Sequence, residues 1–294
     1  MLYTQPVVEI IRQRFSCRSY LSRPLEPEQR AQLSALLSAS LIGPLGARVR
    51  FELATATVQD RSALKGLGTY GFIKGATGFI IGAVGQAEKN LEDYGYLLER
   101  AILLATDIGL GTCWLGGSFS KSNFARKIAV EAGELVPAVA AVGYVANKPR
   151  LLDSFIRRRV GSDERLPWAR LFFDQTFGAP LSPEAAGAYA TPLEMVRLGP
   201  SASNKQPWRI IKDNHTWHFY LQRTQGYAYR NKALLNLADL QRVDMGIAMS
   251  HFELTAHETN LPGKWAVSEP DIAKPDELTE YTVSWVGKNN EASK

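Results

Sequence analysis

Cysteine is scarce in this sequence, with Cys17 and Cys113 its two representatives among 294 residues. Two thiols cannot form a disulfide framework or a metal cage by themselves, so both are expected to be reduced. No apolar run approaches the roughly 20 residues that a membrane-spanning helix needs, and residues 1–14 lack a long apolar stretch with a cleavage site. These absences predict a cytoplasmic protein without membrane contact.

Motifs for metal binding and for nucleophilic catalysis are also missing. His215 and His218 are three residues apart in a predicted strand, so their side chains would point to opposite faces and would not share a metal. No Gly-x-Ser-x-Gly motif occurs, which weakens a serine hydrolase interpretation. Residues 66–71 satisfy Gly-x-Gly-x-x-Gly, but no strand is predicted before them and no helix after them, which indicates a loop. No metal is expected.

Positive charge exceeds negative charge by a small margin, with 34 basic and 29 acidic residues and a net charge of +5. Much of the excess lies at 157–159 and at Arg165. Such an excess attracts anions, but the basic residues are not interleaved with aromatic residues in a nucleic-acid-binding motif. The charge pattern favours a small-molecule ligand over nucleic acid. A nucleic-acid or anion binder that uses residues 147–170 stays an alternative.

Hydrophobic residues make up 45% of the chain, enough for one large or two medium cores. Their spacing predicts helices over 26–39, 87–106, 183–198 and 237–257, and strands over 49–54, 78–84, 137–145, 208–211, 216–221 and 281–286. The basic stretch 147–167 is expected to connect two halves. Helices and strands do not alternate strictly, so an α+β fold is favoured over a doubly wound parallel sheet.

An internal repeat is visible in the positions of several landmarks. Residues 25–28 and 181–184 both read Leu-x-Pro-Glu, and a further proline follows the first one after 17 residues in each case (44 − 27; 200 − 183). Asp-x-Gly at 107–109 and at 244–246 is expected to end an apolar helix in each half. Leu-x-Pro-Glu alone is also a common helix start. The repeat predicts one half over residues 1–175 and an abbreviated half over 176–294.

Two motifs far apart in the chain carry a family resemblance. Residues 14–18 read Arg-Phe-Ser-Cys-Arg, and residues 201–208 read Ser-Ala-Ser-Asn-Lys-Gln-Pro-Trp. Both resemble flavin-contacting segments of the FMN-dependent nitroreductase family, in which two subunits pair and build flavin sites between them. The resemblance implies a nitroreductase-like fold duplicated in one chain, with two central antiparallel or mixed sheets and core helices packed as a pseudo-dimer. It also implies a monomer, because both halves of the interface belong to one polypeptide.

The resemblance assigns a part of FMN to each motif. A phosphate calls for charge-assisted donors, which arginine supplies in a bidentate fork, and a glycine-rich turn lets backbone N–H groups approach a ring closely. The implied phosphate ligands are Arg14, Ser16, Arg18 and Arg165, and the implied donors to flavin N5 and O4 are Gly116 and Gly117. Contacts from the second half are assigned to Ser201, Ser203, Asn204 and Gln206, and contacts to the pyrimidine edge to Thr69 and Lys74.

Each motif also has an interpretation without a ligand. Arg12, Arg14 and Arg18 could form a solvated helix face, and residues 109–117 could be a tight turn between a helix and a strand. The second half has no basic-x-Ser-x-basic segment before Leu181, and the counterpart of the glycine turn is expected at 249–254 without glycine. One flavin site is therefore expected rather than two.

The resemblance implies an FMN-dependent oxidoreductase. NAD(P)H would deliver hydride to flavin N5, and an electron-poor acceptor such as a nitroaromatic or a quinone would then be reduced at the same place. Such chemistry requires no catalytic side chain, because the protein positions and tunes the cofactor. The alternative is a non-catalytic flavin- or ligand-binding protein descended from a nitroreductase.

Overall fold

A computed structural model describes residues 2–38, 41–57, 60, 62–146, 164–226 and 238–288 of the chain. Within these residues the strands form two five-stranded sheets, and helices pack between and around them. The α+β class predicted from the sequence is confirmed. The predicted connection over 147–167 lies outside the described residues except for its last four positions, and so does the arginine run 157–159.

The first sheet is antiparallel throughout and has the order β1-β2-β3-β5-β4. Its strands are β1 (Leu41–Ile42), β2 (Arg48–Thr55), β3 (Gly78–Val84), β4 (Gly111–Leu115) and β5 (Val139–Gly143). Every residue of β3 and of β5 is buried. The strands predicted near 49–54, 78–84 and 137–145 are confirmed, and the last of them lies inside the sheet as its uncharged, small and β-branched residues indicate.

The second sheet has the order β6-β7-β8-β10-β9, which repeats the strand order of the first. Its strands are β6 (Phe172–Asp174), β7 (Trp208–Asp213), β8 (Thr216–Gln222), β9 (Gly263–Ala266) and β10 (Thr279–Gly287). The pairing of β6 with β7 is parallel and the other pairings are antiparallel. Strand β6 precedes the predicted division at residue 175, yet it pairs within the second sheet.

The helices are α1 (Val7–Gln13), α2 (Pro27–Leu37), α3 (Asn90–Asp107), α4 (Lys121–Lys127), α5 (Pro183–Ala186), α6 (Ala190–Leu198) and α7 (Leu240–Glu258). The four predicted helices have counterparts, one of them broken in two, whereas α1 and α4 were not predicted. The single helix predicted over 183–198 is wrong, because Gly187 has a φ of 57° and separates α5 from α6. Glycine adopts this left-handed conformation without the penalty that other residues meet. Among the described residues, no helix has both the length and the apolar character needed to cross a bilayer.

Helices α3 and α7 cross at two glycines. A Cβ atom at Gly95 would collide with the carbonyl oxygen of Val243, and a Cβ atom at Gly246 would collide with the carbonyl oxygen of Glu92. Each carbonyl belongs to the residue three positions before the glycine of its own helix, so the contact is reciprocal. The backbones therefore touch directly, and both sheets share one buried core around the crossing.

The two core helices end on carboxylates that hold the N-terminal segment. Asp107, the last residue of α3, accepts a hydrogen bond from the backbone N–H of Thr4 at 2.7 Å. Glu258, the last residue of α7, accepts one from the backbone N–H of Val7 at 2.6 Å. Asp244 lies near the beginning of α7. Helix α7 begins at Leu240, later than the predicted residue 237, and continues past residues 244–246 to Glu258. The expectation that Asp-x-Gly at 244–246 ends a helix is therefore wrong.

Candidate functional site

A cavity of about 320 Å³ lies between the edge of the first sheet and helix α7. Its volume falls within the range of small-molecule sites, about 300–1,000 Å³. Nine of the twelve residues predicted to bind a cofactor line it: Arg14, Ser16, Arg18, Gly116, Gly117, Arg165, Ser201, Ser203 and Asn204. The structure thus brings together residues from both ends of the sequence. Thr69, Lys74 and Gln206 do not line the cavity.

The N-terminal segment reaches the cavity in an extended conformation. Helix α1 ends at Gln13, and Arg14 already has extended φ and ψ angles. The N–H of Cys17 donates to the carbonyl oxygen of Thr112 at 2.8 Å, and Ser16 forms an isolated bridge with the same residue of β4. Side chains alternate along an extended chain. Arg14, Ser16 and Arg18 therefore face the cavity, while Cys17 is buried.

The arginines of this segment bring buried positive charge to the cavity wall. The side chain of Arg14 is 5% exposed, and its Nε lies 3.9 Å from Oε1 of the buried Glu99. Burial lowers the pKa of Arg14 from its ordinary value, while the neighbouring Glu99 carboxylate raises it. The Nε atoms of Arg14 and Arg18 are buried and make no hydrogen bond within the described part of the chain. Buried donors without acceptors are costly, so these two fit an anion in the cavity.

The glycine-rich turn follows β4 and lies against α7. A Cβ atom at Gly116 would meet the end of the Leu240 side chain, so glycine lets the side chain of Leu240 pack directly on the turn. Trp114, two residues earlier, donates its indole N–H to Oε2 of Glu99 at 2.7 Å. The turn is thus held by its contact with Leu240 of α7 and, through Trp114, by the hydrogen bond to Glu99 of α3. Its exposed backbone is available for close approach of a ring.

The loop from the second half has an unusual backbone. Ser203, Asn204 and Gln206 have φ values of 51°, 53° and 48°. Left-handed conformations cost roughly 1–2 kcal/mol per residue other than glycine, and they concentrate at functional sites. Side-chain oxygens accept two backbone N–H groups of the loop: the N–H of Gln206 donates to Oγ of Ser201 at 2.9 Å, and the N–H of Ala202 donates to Oδ1 of Asp244 at 2.9 Å.

Arg165 reaches the cavity because its segment is bonded to the same loop. The N–H of Leu166 donates to Oε1 of Gln206 at 2.8 Å, and Nδ2 of Asn204 donates to the carbonyl oxygen of Glu164 at 2.9 Å. Gln206 is 3% exposed. Its side chain therefore joins two walls of the cavity, rather than facing the interior as the sequence analysis expected.

One face of helix α7 forms a wall that the sequence analysis missed. Leu240, Val243, Asp244 and Ile247 line the cavity, and their spacing of three, one and three residues places them on one helical face. This spacing is visible in the sequence. Periodicity alone does not show whether such a face meets a ligand or another helix. Phe72, Cys113 and Trp114 also line the cavity and were not predicted.

Asp244 is the acidic group of that wall. It is 3% exposed, and burial raises the pKa of its carboxyl group well above the ordinary value, against the opposing effect of the Ala202 N–H and with a smaller rise from Asp239. Its Oδ1 accepts the N–H of Ala202, whereas its Oδ2 is buried and makes no hydrogen bond in the described residues.

Thr69 and Lys74 lie beside the site but face elsewhere. The hydroxyl of Thr69 accepts the N–H of Ile73 at 3.3 Å, within its own loop. Lys74 is exposed, and its backbone N–H donates to the carbonyl oxygen of Arg18 at 3.0 Å. Lys74 thus holds the segment that carries Arg18, although its side chain does not line the cavity.

A family model described as "Putative TM nitroreductase" matches residues 6–256. The solved structure of a "putative nitroreductase" from Thermotoga maritima MSB8 is 19% identical and covers 96% of this chain and 94% of its own, with a TM-score of 0.59. No curated protein matches the sequence.

Shorter solved structures resemble part of the chain. An oxidoreductase containing FMN is 21% identical over 60% of this chain and 95% of its own, with a TM-score of 0.47. A nitroreductase with bound FMN from Bacteroides fragilis NCTC 9343 is 18% identical over 50% of this chain and 92% of its own, with a TM-score of 0.38.

The family match covers most of the sequence, and the Thermotoga maritima structure shares the fold over nearly its whole length. The two-sheet α+β architecture is accordingly nitroreductase-like, and this chain belongs to the nitroreductase family described by that model.

Proposed function

We propose that this protein is an FMN-dependent oxidoreductase. The observation that carries the proposal is the convergence on one cavity of Arg14 and Arg18 from the first half with Ser201 and Ser203 from the second. These residues are almost 200 positions apart in sequence, and a packed core alone does not require them to surround a space. Membership of the nitroreductase family supports the same conclusion.

The residues present fit the phosphate of FMN. Arg14 and Arg18 supply guanidinium groups whose buried Nε atoms have no hydrogen-bond acceptor in the described part of the chain. Ser16 lies between them in sequence and faces the same cavity, where its hydroxyl can donate to a phosphate oxygen. Arg165 lines the same cavity from the segment that is bonded to the loop of the second half. Charge-assisted bonds of this kind are the strongest hydrogen bonds available to a protein.

The remaining walls fit the flavin ring. Leu240, Val243 and Ile247 supply an apolar surface, and the turn at Gly116 and Gly117 supplies backbone without side chains. When bound, FMN would accept hydride from NAD(P)H and pass reducing equivalents to an electron-poor acceptor such as a nitroaromatic or a quinone. The chain's own residues would bind and orient the cofactor and leave room for a small-molecule substrate. None of them is required as a catalytic acid or base.

The same proposal includes a fused pseudo-dimer that acts as a monomer. Gly95 and Gly246, Asp107 and Glu258, and Trp114 and Trp265 are each separated by 151 residues (246 − 95; 258 − 107; 265 − 114). The constant separation across helix and strand, together with the repeated strand order, supports a duplication. At this separation, the counterpart of the glycine turn is 267–268, Val-Ser, rather than the expected 249–254. The loss of both glycines supports a single flavin site.

A visible spectrum of the purified protein tests the proposal. Flavin absorption that bleaches when NADPH or NADH is added under nitrogen, and returns when a quinone is added, is the expected result. A yellow protein that neither reductant bleaches would favour the alternative, a flavin-binding protein without turnover. A colourless protein whose melting temperature is unchanged by added FMN would overturn the flavin assignment. Light scattering during size exclusion should give the mass of one chain, 32.5 kDa.

A further inference from the structure

Two aspartates occupy corresponding places in the two core helices. Asp93 and Asp244 each lie two residues before the glycine at the helix crossing, and each contacts the loop that follows a Gly-Pro pair. Asp93 uses both carboxylate oxygens: Oδ1 accepts the N–H of Leu45 at 2.9 Å, and Oδ2 accepts the N–H of Ala47 at 2.7 Å. Asp93 is a structural carboxylate whose hydrogen bonds are complete.

Asp244 has the same first bond and lacks the second. Its Oδ1 accepts the N–H of Ala202, whereas its Oδ2 is buried without a partner in the described residues. An unpaired buried oxygen is destabilising, and Asp93 shows that the fold can satisfy both oxygens at this position. The difference coincides with the cavity, because Asp244 lines it.

Asp244 also lies close to the turn assigned to the flavin ring. Leu240, one helical turn before it, packs against Gly116, and residues four apart share a helical face. The carboxyl group therefore lies between the loop of the second half and the glycine turn of the first. Asp244 lines the cavity, so a polar atom of a bound molecule in this part of it would lie near the carboxyl group whose Oδ2 has no partner in the described residues.

We infer that the Asp244 carboxyl group is a ligand-binding group that is protonated and donates a hydrogen bond from Oδ2 to the bound flavin. This inference rests on the proposed function and extends it by one residue. Oδ1 accepts the N–H of Ala202, so Oδ2 is the oxygen left to hold the proton. A neutral acid there donates to a carbonyl oxygen or a ring nitrogen, which an ionised carboxylate cannot do.

The surroundings of Asp244 favour the neutral form. Burial raises its pKa against the opposing effect of the Ala202 N–H, and the carboxylate of Asp239 adds to the rise. Charged groups on the neighbouring elements have other contacts. Arg242 pairs with Glu92 of α3 at 2.6 Å, and Arg223, the residue after β8, pairs with Asp239 at 2.6 Å. The remaining charged groups that line the cavity are Arg14, Arg18 and Arg165.

Titration of apo-protein with FMN, followed by flavin fluorescence, tests the inference with Asp244→Asn, Asp244→Ala and Asp93→Asn. The amide of Asp244→Asn accepts from Ala202 and donates into the cavity, so its dissociation constant should stay within about threefold of wild type. Asp244→Ala loses the donor and should bind about tenfold more weakly, as expected for one hydrogen bond. Wild-type affinity should fall as pH rises through deprotonation of Asp244, and that of Asp244→Asn should not.

The outcomes distinguish a failure of the inference from a failure of the proposed function. No FMN binding by folded wild type would overturn both. Binding by wild type with equal affinity in Asp244→Ala would overturn only the role of Asp244, and so would a loss in Asp244→Asn as large as in Asp244→Ala. Asp93→Asn is the matched control, because it changes a carboxylate of the same helix position that does not line the cavity. It should bind FMN as wild type does whenever circular dichroism shows that it is folded.

Discussion

Glu99 and His251 are joined across the contact between α3 and α7, with 2.9 Å between Oε1 and Nε2 and no exposed surface on either side chain. Nδ1 of His251 lies 2.9 Å from the carbonyl oxygen of Met195. A carbonyl only accepts, so Nδ1 carries a hydrogen. Glu99 also accepts from Trp114 and lies near Arg14. The buried carboxylate of Glu99 therefore contacts His251 in the second half of the chain and lies beside two residues that line the cavity, Trp114 and Arg14.

Replacing Glu99 with alanine should destabilise the protein strongly. Removing one partner of a buried ionic network leaves the others without compensation and costs about 3–5 kcal/mol. Urea unfolding would measure the loss. Glu269→Ala is the matched control, since Glu269 pairs with Lys274 on the surface and such pairs contribute about 0–1 kcal/mol. Equal effects of the two substitutions would contradict this role for Glu99.

The double variant Arg14→Ala, Arg18→Ala should lose FMN affinity. Each guanidinium that bonds a phosphate contributes about 1.5–3 kcal/mol, so the pair should weaken binding at least a hundredfold. The dissociation constant from fluorescence titration measures it. Arg12→Ala removes a neighbouring charge that is exposed and pairs with Glu9, and it should leave the affinity within about twofold. Unchanged binding by the double variant would remove the phosphate assignment.

Gly95→Ala and Gly246→Ala should each disrupt the crossing of α3 and α7. The added methyl group meets a backbone carbonyl, which cannot move aside as a side chain can. Overpacking in a well-packed core costs about 1–3 kcal/mol, and we expect more than this upper figure here. Gly85→Ala is the control, because a Cβ atom there meets nothing within 4 Å. A thermal midpoint unchanged in either helix variant would be inconsistent with direct backbone contact.

The stability contribution of Asp93 should depend on pH. Burial raises the pKa of Asp93 from 3.8 to about 6, against the opposing effect of the N–H groups of Ala47 and Leu45. A raised folded-state pKa means that the unfolded chain ionises first, so stability is lost as pH rises from about 3.8 to about 6. The difference in unfolding free energy between wild type and Asp93→Asn should shrink over this interval. A difference that grows with rising pH would contradict the assignment.

Much of the fold could be predicted because its signals are local. The apolar spacing along α3 and the left-handed Gly109 after it follow from helix geometry and from the freedom of glycine. The break at Gly187 could not be predicted in the same way. A glycine inside a helical pattern is often tolerated, and contacts with the rest of the protein decide whether it bends the chain.

The cavity likewise combines features that could be predicted from the sequence with features that could not. Arg14, Ser16 and Arg18 alternate in an extended segment, so their common direction is a property of the sequence once that segment is extended. The wall formed by Val243 and Asp244 depends instead on how α7 is rotated against α3, which packing at Gly95 and Gly246 determines. The positions of Gln206 and Lys74 outside the cavity lining depend likewise on hydrogen bonds to segments that are distant in the chain.

The sequence by itself determined the α+β class, most helices and strands, and the chemistry of residues 14–18 and 201–204, because these depend on periodicity and on residue type. Only the tertiary structure decided that these segments share a cavity with Asp244, and that Thr69, Lys74 and Gln206 lie outside it. The physical reason is that a cavity is defined by contacts between elements distant in the chain, and those contacts depend on the packing of the whole core.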